Sequence, residues 1–180
     1  MSWLSDFRSD IRRYSEHGIE PPGSLIKTQG LWALLQYRVA HRYARYALAR
    51  PGLFAWRLAV ESLTGISIDH RARIGPGCYI GHFGGIFIGD VTIGARSNIS
   101  HGVTIGVHKG GSPTIGSDCG FGPGAVVVGP ITLGDRVMIG ANATVSGDLP
   151  DDAVVRAAST RIWSSQSAPD LPPDQAEGQR

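Results

Sequence analysis

From residue 68 to residue 150 a large apolar side chain returns at almost every sixth position. The series runs Ile68, Ile74, Ile80, Ile86, Ile93, Ile99, Ile105, Ile115, Phe121, Val127, Leu133, Ile139 and Val145. Glycine usually follows, as at Gly75, Gly94, Gly116 and Gly134. A small or aliphatic residue stands four places on, as at Ala72, Cys78, Ser97, Val103, Cys119, Ala125, Val137 and Ala143. A period of six matches neither the turn of a helix nor the alternation of a half-exposed strand. It fits short strands joined by corners, three to a coil, in a parallel β-helix of roughly 18 residues per coil. The large residue and the small one then both point inward and stack on their counterparts in the next coil. Phe121 is the bulkiest of the series, and the small Ala125 helps to make room for it. Thirteen positions in register predict roughly four coils and one continuous apolar core.

Two breaks interrupt the register. From Ile86 to Ile93 the step is seven, which reads as one inserted residue around Gly89–Asp90. From Ile105 to Ile115 it is ten, so residues 107–114 are expelled as a loop carrying His108-Lys109-Gly110-Gly111-Ser112-Pro113. Insertions in a solenoid fall on its outer surface and often build the binding face.

Ahead of the repeat, Trp3, Leu4, Phe7, Ile11 and Tyr14 lie at helical spacing and predict a helix over 2–17. Pro21-Pro22-Gly23 breaks the chain. Thr28 caps a second helix over about 29–49, Pro51–Gly52 ends it, and a third spans 53–63. The organisation expected is a helical cap over 1–65, a β-helix over 66–163 closed by a last strand within 153–163, and a polar tail over 164–180. The tail's composition predicts disorder. The cap covers the open end of the first coil, whose apolar interior and strand edge would otherwise face water.

Seventeen Lys/Arg against 15 Asp/Glu leave a net charge of +2, which does not suggest a nucleic-acid partner. The second helix is nevertheless rich in Trp32, Tyr37, Arg38, His41, Arg42, Tyr43, Arg45 and Tyr46. Such a face either leans on an anionic membrane or packs within the protein with its arginines solvated, and the second reading is the commoner one. Cys78 and Cys119 both fall on inward small positions, which reads as packing, with neither disulfide nor metal implied. The charged start of the chain is unlike a signal peptide, and no apolar run is long enough to span a membrane. A cytoplasmic protein is expected.

His82 and His101 each lie two places after an inward residue, Ile80 and Ile99, three hexads apart. That spacing puts both on one corner of successive coils, where strands about 4.8 Å apart would nearly stack the two imidazoles. The 107–114 loop with His108 and Lys109 follows close by. The cluster predicts an active site.

The runs Thr64-Gly65-Ile66-Ser67-Ile68, Ile80-Gly81-His82-Phe83-Gly84-Gly85-Ile86-Phe87-Ile88-Gly89-Asp90 and Asn98-Ile99-Ser100-His101-Gly102-Val103-Thr104-Ile105-Gly106 carry a resemblance. Together with the helical stretch 30–41, they resemble the serine O-acetyltransferase-type hexapeptide acyltransferases of bacteria over about residues 5–163. The resemblance implies a left-handed β-helix, a homotrimer, and acetyl-CoA held in a cleft between adjacent subunits. It places the general base on His82, and backbone contacts to CoA on Gly106, Val107, Pro123 and Ala141, although Pro123 has no N–H to donate. Arg136, Arg156 and Arg161 are candidates for the CoA phosphates.

The departures are informative. The carboxylate that orients the base falls on Ser67, and the one that recognises serine's amino group falls on Gly81. The loop pair that holds the amino acid falls near Gly111 and Ser112, and no Asp-Pro matches around 15–20. With the base kept and the amino-acid clamp missing, a different acceptor is expected. The Ile-Gly-His-Phe-Gly-Gly run also resembles acetyltransferases of exopolysaccharide biosynthesis. The expected reaction is acetyl transfer to a sugar hydroxyl, with Gly81, Asp90 and His108 near the acceptor and His101 or Asp90 replacing the orienting carboxylate. Serine O-acetylation is the alternative. A non-catalytic scaffold and a zinc hydratase of the γ-carbonic-anhydrase type, using three histidines, stand further off.

Overall fold

β-Branched residues in runs of two or three, separated by glycine-containing corners, favour short extended segments that packing then fixes. The computed structural model describes residues 2–19, 28–82 and 84–157. The expected break at Pro21-Pro22-Gly23, the residues after 157 of the expected last strand, Arg161 and the tail over 164–180 lie outside the described residues.

Among the described residues three α-helices come first, α1 (Trp3–Glu16), α2 (Gln29–Tyr43) and α3 (Arg50–Thr64), with a single 3-10 turn (Ala47–Ala49) before the last. The strands follow as β1 (Ile66–Ile68), β2 (Arg73–Ile74), β3 (Tyr79–Ile80), β4 (Ile86–Ile88), β5 (Thr92–Ile93), β6 (Asn98–Ile99) and β7 (Thr104–Gly106). Next are β8 (Thr114–Ile115), β9 (Gly120–Phe121), β10 (Val126–Val128), β11 (Thr132–Leu133), β12 (Met138–Ile139), β13 (Thr144–Val145) and β14 (Val154–Val155). They stack into three parallel sheets, β1-β4-β7-β10-β13, β2-β5-β8-β11 and β3-β6-β9-β12-β14. The parallel β-helix read from the repeat is therefore the fold. It has five coils rather than four, because the chain continues past Val145 through a bridge of Leu149 to Leu133 and then through β14.

The inward columns correct the register. Ile68, Ile88, Ile105, Val127 and Val145 pair along the first sheet, so Ile88 holds the large position. Ile86 pairs with Ile66 on the neighbouring inward column. The step from Ile80 to Ile88 is eight and that from Ile88 to Ile93 is five. The extra residues therefore lie between Ile80 and Gly84, at the His82 corner, not at Gly89–Asp90. Side chains alternate along a strand, so both ends of Ile86-Phe87-Ile88 face inward, and spacing alone cannot say which one carries the column.

The helices close the first coil by bonding its free backbone edge. The Tyr37 hydroxyl donates to Ala72 O at 2.8 Å and accepts from Ile74 N at 3.0 Å. Tyr14 does the same for both backbone groups of Ile80, at 2.8 and 3.1 Å. Arg38 donates to the carbonyls of Ile74 and Gly75 and to both oxygens of Asp10, whose Oδ1 also accepts from Gly77 N and Cys78 N. Side chains of α1 and α2 thus stand where a preceding coil would. A Cβ at Gly30 would collide with Ile80 O and the Tyr14 hydroxyl, so only glycine lets α2 approach this closely.

The expectation that the arginines of α2 are solvated fails at Arg38, which is 4% exposed beside a fully buried Asp10. A helical wheel cannot reveal a partner 28 residues away. Burial pushes the Asp10 carboxyl above its ordinary value, while Arg38 and the two N–H groups pull it down. With four donors on its two oxygens, the ionised form is the one this geometry fits. Pro51 also behaves differently from expectation. It sits in the first turn of α3, where a missing N–H costs nothing, and α2 has already ended at Tyr43. Among the described residues, no helix is long and apolar enough to cross a membrane.

Arg38→Ala leaves Asp10 buried without its partner and is expected to cost about 3–5 kcal/mol in a urea titration. Arg136→Ala, which removes a fully exposed pair with Asp152, should leave the midpoint nearly unchanged.

Candidate active site

Strand β3 delivers the chain to a corner where the two-residue excess is spent. Gly81 is buried, and the chain then swings outward so that His82 is exposed. Its backbone lies in the left-handed region at φ +65°, a conformation that recurs at the corners of this solenoid, as at Arg96, Asp118, Arg136 and Asn142. Pairing of Ile80 with Ile99 brings His101 to the same corner one coil on. The two rings lie 5.7 Å apart with planes at 84°, edge to face rather than stacked. The difference follows from the bulge. The regular column here runs through Gly84, His101, Pro123 and Ala141, joined by Gly102 N to Gly84 O, Gly124 N to His101 O and Asn142 N to Pro123 O. His82 stands outside it.

Beside His82 lies a cavity of about 330 Å³ between the cap and the first coil, bounded by Tyr14, Gln29, Gly30, Tyr79, Ile80 and His82. Burial pushes the Tyr14 phenol well above its ordinary range, so it stays a neutral donor to Ile80 O. The Tyr79 ring is tilted against Tyr14 at 4.7 Å and stacked on His17 at 4.0 Å with planes 8° apart. Its edge covers Gly81, where a Cβ would come within 2.9 Å of Tyr79 Cε1.

Ser67, at the position where the family resemblance puts an orienting carboxylate, engages a carboxylate through its hydroxyl. Its hydroxyl donates to Glu61 Oε1 at 2.6 Å, and that oxygen also accepts from Arg57. Burial pushes the Cys78 thiol up to about 12, which keeps it a packing residue rather than a thiolate.

The candidate residues separate into two groups. Gly81, His82, His101, Pro123 and Ala141 share the corner that leads into the first sheet. Gly106, Val107, His108 and Asp90 lie at the far ends of β7 and β4, on the next corner. Asp90 there faces Arg71 at 3.8 Å. His108 is in the exposed loop, whose backbone pairs with Gly111. Within one chain, therefore, neither Asp90 nor His108 is placed beside His82. No group of three His, Cys, Asp or Glu among the described residues is arranged to hold a metal ion.

The sequence pattern gives Tyr79 and Glu61 no place at the site, and Tyr14 only a place on the apolar face of α1. Tyr14 meets Ile80 across 66 residues, and nothing local signals that. For Tyr79 a signal existed: an aromatic on the outward position of β3, immediately before the corner.

Residues 112–147 match the family model described as bacterial transferase hexapeptide (six repeats). A serine acetyltransferase of Helicobacter pylori is 43% identical over 134 residues, covering 70% of this chain and 76% of the relative. The structure of Neisseria gonorrhoeae serine acetyltransferase in complex with serine superposes with a TM-score of 0.76 at 25% identity, covering 89% of this chain and 68% of the other. Serine acetyltransferase isoform 3 of Entamoeba histolytica, in complex with cysteine, has the same fold with a TM-score of 0.77 at 23% identity. There the match covers 99% of this chain but only 64% of the longer one.

Asparagine tolerates the left-handed region better than histidine. His82→Asn is therefore expected to leave the thermal midpoint at or above the wild-type value in a circular-dichroism melt. A fall of several degrees would assign His82 a structural role instead.

Proposed function

Because the chain belongs to the serine acetyltransferase family, a family of acyltransferases, we propose that it transfers acetyl from acetyl-CoA to the hydroxyl of L-serine with His82 as general base. The observation that carries this is His82 itself, exposed at the mouth of a cavity, with His101 against its ring. The neutral imidazole accepts the hydroxyl proton as the oxygen attacks the thioester carbonyl. The C–O bond forms, the tetrahedral intermediate collapses with loss of the C–S bond, and the imidazolium returns the proton to the departing thiolate. His101 holds the His82 ring in place.

Acetyl-CoA would contact Gly106, Val107, Pro123 and Ala141. These occupy opposite edges of the first sheet, so one ligand reaches all four by lying along a cleft between adjacent copies. A homotrimer is part of the same reading, and in it Asp90 and His108 of one copy would approach the His82 corner of the next. Exposed Phe87, Val107, Met138 and Val154 on the solenoid supply apolar surface for such packing. A cytoplasmic location, with acetyl-CoA at hand, goes with it.

The sugar acceptor expected from the Ile80–Gly85 run gives way to serine, because serine is what the relatives' name specifies. One observation keeps a neutral sugar-type acceptor as a second reading. The described lining of the cavity holds no Asp, Glu, Lys or Arg, so no charged side chain there meets a zwitterion.

A thiol-release assay with L-serine, sugars and nucleotide sugars decides between them. Saturable turnover on serine is expected, with His82→Ala lowering kcat by about 10²–10⁴ while acetyl-CoA still binds. Turnover on a sugar alone would establish the second reading.

A further inference from the structure

We propose that Tyr79 selects the acceptor by donating its hydroxyl to an oxygen beside the reacting group, which in L-serine is the carboxylate. This rests on the acetyl-transfer reading and concerns how the same site recognises its second substrate. Three observations converge on Tyr79. It lines the cavity that holds His82. Its ring is clamped, tilted against Tyr14 on the buried side and stacked on His17 at 4.0 Å, so its orientation is set before any ligand arrives. Its hydroxyl makes no hydrogen bond among the described residues, whereas the Tyr14 hydroxyl in the same wall is committed to both backbone groups of Ile80.

Gly81 is the complement of this arrangement. Tyr79 Cε1 would lie 2.9 Å and its hydroxyl oxygen 3.4 Å from a Cβ at position 81. The phenol therefore occupies the space next to His82 that any side chain at 81 would need. A group offered from Gly81's own side chain is replaced by one offered from two residues earlier, and it is a neutral donor. With one ring face stacked on His17 and Tyr14 tilted against the ring, the hydroxyl is the polar group that Tyr79 has left to offer a ligand. A rigid phenol O–H facing a carboxylate oxygen gives a charge-assisted bond with little ordering cost.

Tyr79→Phe keeps the ring and its stacking and removes only the donor. It is expected to raise KM for the acceptor about tenfold, with kcat and KM for acetyl-CoA unchanged and the thermal midpoint retained. With ethanolamine, which has the hydroxyl but lacks the carboxylate, the same variant should show no penalty. Gly81→Ala, whose Cβ displaces the ring, should raise KM for serine without deleting the hydroxyl. An active wild type whose KM for serine is unmoved by Tyr79→Phe, or which loses equally on ethanolamine, overturns the role of Tyr79 and leaves acetyl transfer standing. A wild type without turnover on any hydroxyl overturns the acetyl-transfer reading and this inference with it.

Discussion

The structure depends on how the first coil of the solenoid is ended. A parallel β-helix leaves a row of unpaired N–H and C=O groups at its open end, and each such group costs free energy if buried without a partner. Here side chains of the helical cap meet that row. Tyr14 serves Ile80, Tyr37 serves Ala72 and Ile74, and the Arg38–Asp10 pair serves Ile74, Gly75, Gly77 and Cys78. These bonds fix which face of α1 and α2 lies on the coil. They also explain a buried arginine in a helix whose other basic residues are solvent-exposed.

The candidate site follows from the same contact. Tyr14 pins Ile80, the last inward residue before the corner, and the two-residue excess of that coil falls before Gly84, where His82 leaves the regular column. A pinned strand followed by a bulge gives an exposed histidine with a defined origin. The cap then supplies the opposite wall of the cavity through Gln29, Gly30 and Tyr14. The Tyr79 ring, in contact with both Tyr14 and His17, is part of that joint and part of the wall. The residues that hold the cap on the first coil therefore also wall the cavity beside His82.

Much of this was legible in the chain. The six-residue period predicts the coil because it repeats over the length of the solenoid, and His82 and His101 share a corner because Ile80 and Ile99 are three hexads apart. What spacing could not supply was the register inside Ile86-Phe87-Ile88, where two isoleucines on one short strand both face inward. That ambiguity moved the insertion from the histidine corner to Asp90. The same limit applied to the rings, since stacking presumes a regular corner and His82 is on a bulge. Asp90 and His108 lie near the histidines in sequence but on another corner, because a coil turns through a third of its circuit in six residues.

The sequence by itself determined the solenoid, its core columns, the helical cap and the corner bearing the histidines. Each of these is written in local periodicity, which chain geometry converts directly into which side chains point inward. Only the tertiary structure decided the Asp10–Arg38 pair, the clamping of Tyr79 over Gly81, and the edge-to-face setting of His82 on His101. These arise where α1 and α2 meet a coil tens of residues later in the chain. Hydrogen bonds and ring contacts of that kind depend on distance in space, and no periodicity in the chain encodes it.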